Sequence, residues 1–173
     1  MFRLIGVSSA LTTRLSSDFY SDAAIRQITF RLKDRLVTKQ TIFRIDVQFG
    51  DCDPAGIVFF PNFSRWMDAA SHDYFLQCGL PPWREMDALP GCIGAPLLEI
   101  HSRFHTSATY GETLEIRTST EEWRGKVFIQ RHRIVRGDTL ICEFRATRAL
   151  CVMQTDGKLK AVEIPDFMRV ACA

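Results

Sequence analysis

Two different periods of apolar residues succeed one another along the chain. Phe43, Ile45, Val47 and Phe49 alternate with Arg44, Asp46 and Gln48, the period-two pattern of a half-buried strand. After a break rich in Asp, Pro and Gly, the residues Phe63, Trp66, Met67, Ala70, Tyr74 and Cys78 recur at spacings of three and four. That spacing predicts an amphipathic helix with Asn62 as its N-cap and Gly79 as its stop, about 16 residues and roughly 24 Å long. The following GLPPWREMDALPG reads as a loop holding one helical turn. Strand patterns then fill APLLEIHSRF, TLEIRTSTEEW, KVFIQRHRIV, TLICEFRATRALCVMQ and LKAVEI, separated by TYGE, RG, RGD and TDGK. A strand, one long helix and a meander of four or five antiparallel strands predict an α+β fold in which the helix lays its apolar stripe on the sheet.

The first 40 residues differ. They carry seven Lys or Arg against three Asp, a balance of +4 in a chain whose formal net charge is +2. Within them IRQITFRLKDRLV fits a helix through Ile25, Ile28, Leu32 and Leu36, or a strand through Ile28, Phe30 and Leu32. The Arg- and Ser-containing start resembles a targeting peptide, but Asp18, Asp22 and Asp34 argue against one. Residues 1–40 are therefore expected to be a poorly ordered or peripheral extension, and residues 41–173 the folded domain.

Composition narrows the function classes. At 173 residues, 46% apolar and 24% charged, the chain suits a single core. A charge of +2 without a long basic run gives no footprint for nucleic acid. No apolar run approaches the roughly 20 residues that cross a bilayer, so no membrane partner is expected and the protein should be soluble. The six cysteines form no CxxC pair and read as free thiols of a reducing, cytoplasmic environment.

The stretch FGDCDPAGIVFFPNF, Phe49 to Phe63, joins the first strand to the helix. Turn chemistry alone explains Asp51, Asp53 and Pro54, since an acid beside a helix start gains about 0.3–1 kcal/mol from the helix dipole. The alternative is a carboxylate aimed at the helix N-terminus to do chemistry. On their own residues, Asp68 reads as a solvated acid, Ser107 as a polar strand end, and Arg124, Lys126 and Lys160 as surface charge. Cys52 has no histidine beside it in sequence to activate it and reads as a small buried hydrophobe. His72, His101, His105 and His132 lack metal-ligand spacing, and no metal is expected.

The segment FGDCDPAGIVFFPNFSRWMDAAS, followed in order by CGLPPWR, EWRGK, FIQRH and LKAVEIP, resembles the 4-hydroxybenzoyl-CoA thioesterase family over about residues 42–170. The resemblance implies a hot-dog fold, a curved antiparallel sheet wrapped around one long central helix. It implies hydrolysis of an aromatic, 4-hydroxybenzoyl-like CoA thioester to the free acid and CoA. Asp53, the acid immediately before PAG, matches the catalytic carboxylate, which either attacks the thioester carbonyl or deprotonates the attacking water. No serine triad is needed, because the leaving thiol has a pKa near that of free Cys, about 8.5. The backbone N–H of Phe60 matches the donor that polarises the carbonyl.

Carried over in the same way, Asp68 accepts a hydrogen bond from the phenolic hydroxyl at the end of the acyl pocket, and Ser107 is a hydroxyl brought near the site by a neighbouring subunit. Arg124, Lys126 and Lys160 hold the CoA phosphates, with Gly125 standing where the more basic form of that run has a second Arg. No cofactor is implied, coenzyme A being part of substrate and product. The resemblance also implies a homo-oligomer, a dimer at minimum and a tetramer in the family's manner. Two other readings stay open: a thioesterase for another aryl or short-chain acyl-CoA, and a non-catalytic acyl-CoA-binding hot-dog protein.

Overall fold

The computed structural model describes residues 39–173. The segment 25–37, read above as helix or strand, and nearly all of the expected extension lie outside the described residues. The alternating run beginning at residue 42 forms strand β1, Gln40–Asp46, and the long helix α1 spans Phe60–Gln77. After α1 come β2 (Cys92–Gly94), β3 (Leu97–Phe104), β4 (Thr113–Arg124), β5 (Val127–Arg136) and β6 (Thr139–Ala149). The chain ends with β7 (Cys151–Met153), β8 (Leu159–Ala161) and the short helix α2 (Asp166–Ala171).

Five strands pair antiparallel in the order β1-β4-β5-β6-β3, and three short ones pair as β2-β7-β8. Register shifts mark bulges in β3, β4 and β6, which bend a strand and raise its twist, so the sheet can close around α1. The sequence differs from the structure at three places. TLICEFRATRALCVMQ is two strands, because the chain leaves the first sheet at Leu150, whose N–H donates to Lys126 O. β2 lies beyond the expected loop, where three residues are too few to display a period. Phe49, expected as an inward strand residue, is 80% exposed: β1 has ended at Asp46, and Phe49 opens a 3₁₀ turn, Phe49–Asp51, with its ring edge-on to Tyr110.

All six apolar helix positions named from the sequence are buried, each large side chain contributing about 1.5–3 kcal/mol by leaving water. They feed two separate apolar clusters. Phe63, Trp66, Met67 and Ala70 pack with Leu114, Ile116, Ile134 and Phe144. Tyr74, Phe75 and Cys78 pack with Phe128, Leu150, Ile164 and Met168. Between the clusters lies a buried polar belt of Ser71, Thr118, Thr120, Gln130, His132 and Arg148. Register explains it, since Thr118 faces His132 and Thr120 faces Gln130 across β4 and β5. Ser71 Oγ donates to Gln130 Oε1 at 2.6 Å, tying helix to sheet. α1 stops at Cys78, and Gly79 follows at φ +84, a conformation only glycine adopts cheaply. No helix among the described residues is long and apolar enough to cross a membrane.

Candidate active site

The link between β1 and α1 is held by Asp51. Its Oδ2 accepts the Gln48 N–H at 2.9 Å, and its Oδ1 pairs with Arg65 at 2.8 Å. Its backbone oxygen accepts both the Phe59 N–H (2.9 Å) and the Asn62 side-chain amide (2.8 Å). Asn62 is therefore not the N-cap expected from sequence. The helix begins three residues earlier than expected, with Phe59 at the cap, and the Asn62 amide is spent on fastening the helix to the turn.

Next to this anchor, Cys52 bridges to Val58 and the Asp53 N–H donates to Ile57 O at 2.9 Å, closing a tight loop over Pro54, Ala55 and Gly56. The half-buried Asp53 carboxylate accepts the Ala55 N–H on Oδ1 at 2.8 Å, which orients it and leaves Oδ2 without a hydrogen bond among the described residues. At the adjacent helix start the Phe60 N–H has no backbone acceptor, Pro61 has no N–H, and the Asn62 N–H donates to Phe59 O. The turn thus carries one oriented carboxylate and leads into a helix whose positive end keeps one free donor. Cys52 is partly buried against the first apolar cluster, in keeping with its reading as a small hydrophobe.

A cleft of about 330 Å³ opens at this helix start, lined by Ile57, Val58, Phe60, Phe63, Phe104 and Ser107 among others. Ser107 reaches it within one chain, because the Val58 N–H donates to Ala108 O at 2.8 Å and Thr109 Oγ1 to Gly56 O at 2.7 Å. Within one chain, Ser107 and Phe60 thus line the same cleft.

Asp68 lines a different cleft, of about 450 Å³, with Ser71, His72, Trp83, Gly94 and Arg148. Eight residues of helix, roughly 12 Å, separate Asp68 from Phe60. Asp68, read from its own residues as a solvated acid, has a largely exposed side chain but is paired: its Oδ1 accepts Arg148 Nη2 at 2.6 Å. Sequence reasoning missed Arg148, although a signal was there. Continuing the inward alternation of Cys142, Phe144 and Ala146 by two places lands on it. In the belt beside it, burial and then the Arg148 charge depress His132 from 6.5 to about 3, so the ring is neutral. His101 and His105 face Glu99 and Glu143 at 3.0 and 3.3 Å.

Residues 47–172 match the family model of the thioesterase-like superfamily. The chain belongs to that superfamily. It is 45% identical over 123 residues to a 4-hydroxybenzoyl-CoA thioesterase from Pseudomonas sp. (strain CBS-3), spanning 69% of this chain and 87% of the relative. A 1,4-dihydroxy-2-naphthoyl-CoA hydrolase from Prochlorococcus marinus is 25% identical over 131 residues, 72% of this chain and 83% of that one. The fold superposes on the Pseudomonas thioesterase with a TM-score of 0.72 at 37% identity, covering 78% of this chain and 99% of the other. A 4-hydroxybenzoyl CoA thioesterase variant solved in complex with 4-hydroxybenzoyl CoA matches with the same TM-score and identity. A gentisyl-coenzyme A thioesterase matches with a TM-score of 0.67 at 32% identity, over 77% of this chain and all of that chain. The expected hot-dog thioesterase fold is thereby borne out.

The three basic residues assigned to phosphate lie at another edge of this thioesterase fold. Gly125 and Lys126 form the tight β4–β5 turn, Gly125 at φ +47. Ile164 N–H donates to Gly125 O, and Leu150 O accepts the Val162 N–H, which draws the segment after β8 and its exposed Lys160 toward the turn. Exposed Arg124 is engaged by Glu122 at 2.6 Å, a surface pair of little energetic weight that a phosphate could displace. A Cβ at Gly125 would stand 3.2 Å from Glu163 Oε2, so an Arg there would meet both a strained backbone and a crowded carboxylate.

Proposed function

We propose that the chain hydrolyses a hydroxyaryl-CoA thioester, 4-hydroxybenzoyl-CoA foremost, to the free acid and CoA. The observation that carries this reading is the Asp53 carboxylate, oriented by the Ala55 N–H in the tight turn that leads into α1, whose first N–H, that of Phe60, has no backbone acceptor. The thioester oxygen takes the Phe60 N–H, where negative charge developing in the transition state meets the positive end of the helix. Asp53 Oδ2 then attacks the carbonyl to give an acyl anhydride that water opens, or takes a proton from the water that attacks; either path expels the thiolate of CoA. Arg124, Lys126 and Lys160 hold the phosphates, and Ser107 offers a hydroxyl beside the acyl group.

Asp68 receives the hydroxyl at the far end of the acyl group. That role is favoured by the names of the relatives, which act on 4-hydroxybenzoyl, gentisyl and dihydroxynaphthoyl thioesters. Asp68 lies in another cleft about 12 Å along α1, so the acyl group meets Asp53 of one copy and Asp68 of a second. The dimer this needs forms along β3, an edge strand whose Leu98, Ile100 and Phe104 are 60%, 38% and 48% exposed. A tetramer rests on the family resemblance alone.

Free thiol release from a panel of aryl- and alkanoyl-CoA esters tests the reading with wild type, Asp53→Asn and Cys52→Ala. Asp53→Asn should lower kcat by about 10²–10⁴-fold and Cys52→Ala by little. Near-normal turnover in Asp53→Asn would overturn the mechanism.

A further inference from the structure

We propose that Arg148 is a positioning residue for acyl-group selection: it fixes Asp68 as a hydrogen-bond acceptor and so makes that cleft prefer acyl groups with a hydroxyl donor at their far end. The inference rests on the role given to Asp68 above. Arg148 reaches the cleft from β6 with a side chain only 6% exposed, whereas that of Asp68 is 68% exposed. Its fork is divided between two elements, Nη1 donating to Ala95 O at 3.0 Å and Nη2 to Asp68 Oδ1 at 2.6 Å, with Met67 sulfur 3.6 Å from Nη2. Its Nε has no partner among the described residues. Asp68 is the only carboxylate with which it pairs among those residues.

A buried guanidinium that loses its carboxylate is strongly destabilised, so the pair resists separation and Asp68 does not swing freely into solvent. One carboxylate oxygen is committed to Arg148, and Oδ2 is left for the ligand. A carboxylate only accepts hydrogen bonds. Oδ2 therefore favours a hydroxyl and opposes an acyl group ending in a carbonyl or carboxylate oxygen. An unsubstituted ring leaves it unpartnered once substrate has displaced water, which costs binding. Lysine retains the charge at residue 148 but not the planar fork that spans Ala95 and Asp68.

The test is the ratio of kcat/KM for 4-hydroxybenzoyl-CoA to that for benzoyl-CoA in wild type, R148K, R148Q, D68N and the R148Q/D68N double variant. Circular dichroism and thermal unfolding establish that each variant is folded, since general loosening would change Tm and both substrates alike. The ratio is expected to fall at least threefold in R148Q, less in R148K as the charge is restored, and no further in the double variant than in D68N. A smaller fall in folded R148Q overturns the inference, as does an additional fall in the double variant. Should R148Q not fold, R148K decides: a reduced ratio supports the inference and an unchanged one overturns it. An unchanged ratio in D68N overturns the role of Asp68 itself, and the inference with it. A fall in D68N without one at residue 148 overturns the role of Arg148 alone.

Discussion

His132 is fully buried beneath α1, its Nδ1 sharing a 2.9 Å hydrogen bond with the Thr118 hydroxyl. Burial first, and the Arg148 charge second, lower its pKa from 6.5 to about 3. Between those values the unfolded chain binds a proton that the folded one refuses, so stability from this group is complete above about pH 6.5 and drains away as pH falls toward 3. The slope is at most about 1.4 kcal/mol per pH unit. Urea unfolding from pH 4.5 to 7.5 should give His132→Leu a shallower dependence than wild type, although the variant is less stable throughout. At this scale the tight turn around Asp53 was readable, because its motif is contiguous, whereas the role of its carboxylate came only from the family resemblance. The Asp68–Arg148 pair was not readable, because its members are 80 residues apart and meet only through the packing of α1 on β6.

The first turn of α1 offers a test of its own. Replacing Phe60 by Pro removes the free N–H at a helix position that tolerates proline, and Phe59 already has the extended backbone that a following proline demands (φ −63, ψ 121). Phe60→Pro is therefore expected to keep its Tm within a few degrees yet lose about 10²–10³-fold in kcat, while Phe60→Ala, which keeps the donor, stays near wild type. Circular dichroism and steady-state kinetics separate the two. The body of this helix could be read from sequence because three-and-four spacing is a local property of Phe63 through Cys78. Its start could not, because Asn62 has the chemistry of a cap but spends its amide on Asp51 O, a contact made only after folding. β2 and β7, three residues each, are defined by backbone pairing rather than by side-chain pattern.

Over the whole molecule, the inner face of the five-stranded sheet does not stop where α1 stops covering it. Ile100 and Phe104 on β3 pair with the buried Ala146 and Cys142 of β6, so they share its inward face, yet they remain substantially exposed. The dimer proposed above would cover that edge. Ile100→Glu is expected to shift the protein toward monomer in light scattering at micromolar concentration, with helix and strand content retained by circular dichroism. Thioester hydrolysis should fall in parallel if, as proposed above, each acyl group meets side chains from both copies; a fully active monomer would dismiss that arrangement.

The polar belt beneath α1 leaves the domain with two compartments rather than one continuous interior, and α1 is the beam resting on both. A cavity opened near Met67 has no apolar path along which to be relieved near Phe75, because Ser71 and Gln130 are hydrogen-bonded between them. Damage in one compartment therefore stays there, and the half that carries the Asp53 turn is insulated from change in the half that carries the C-terminal helix.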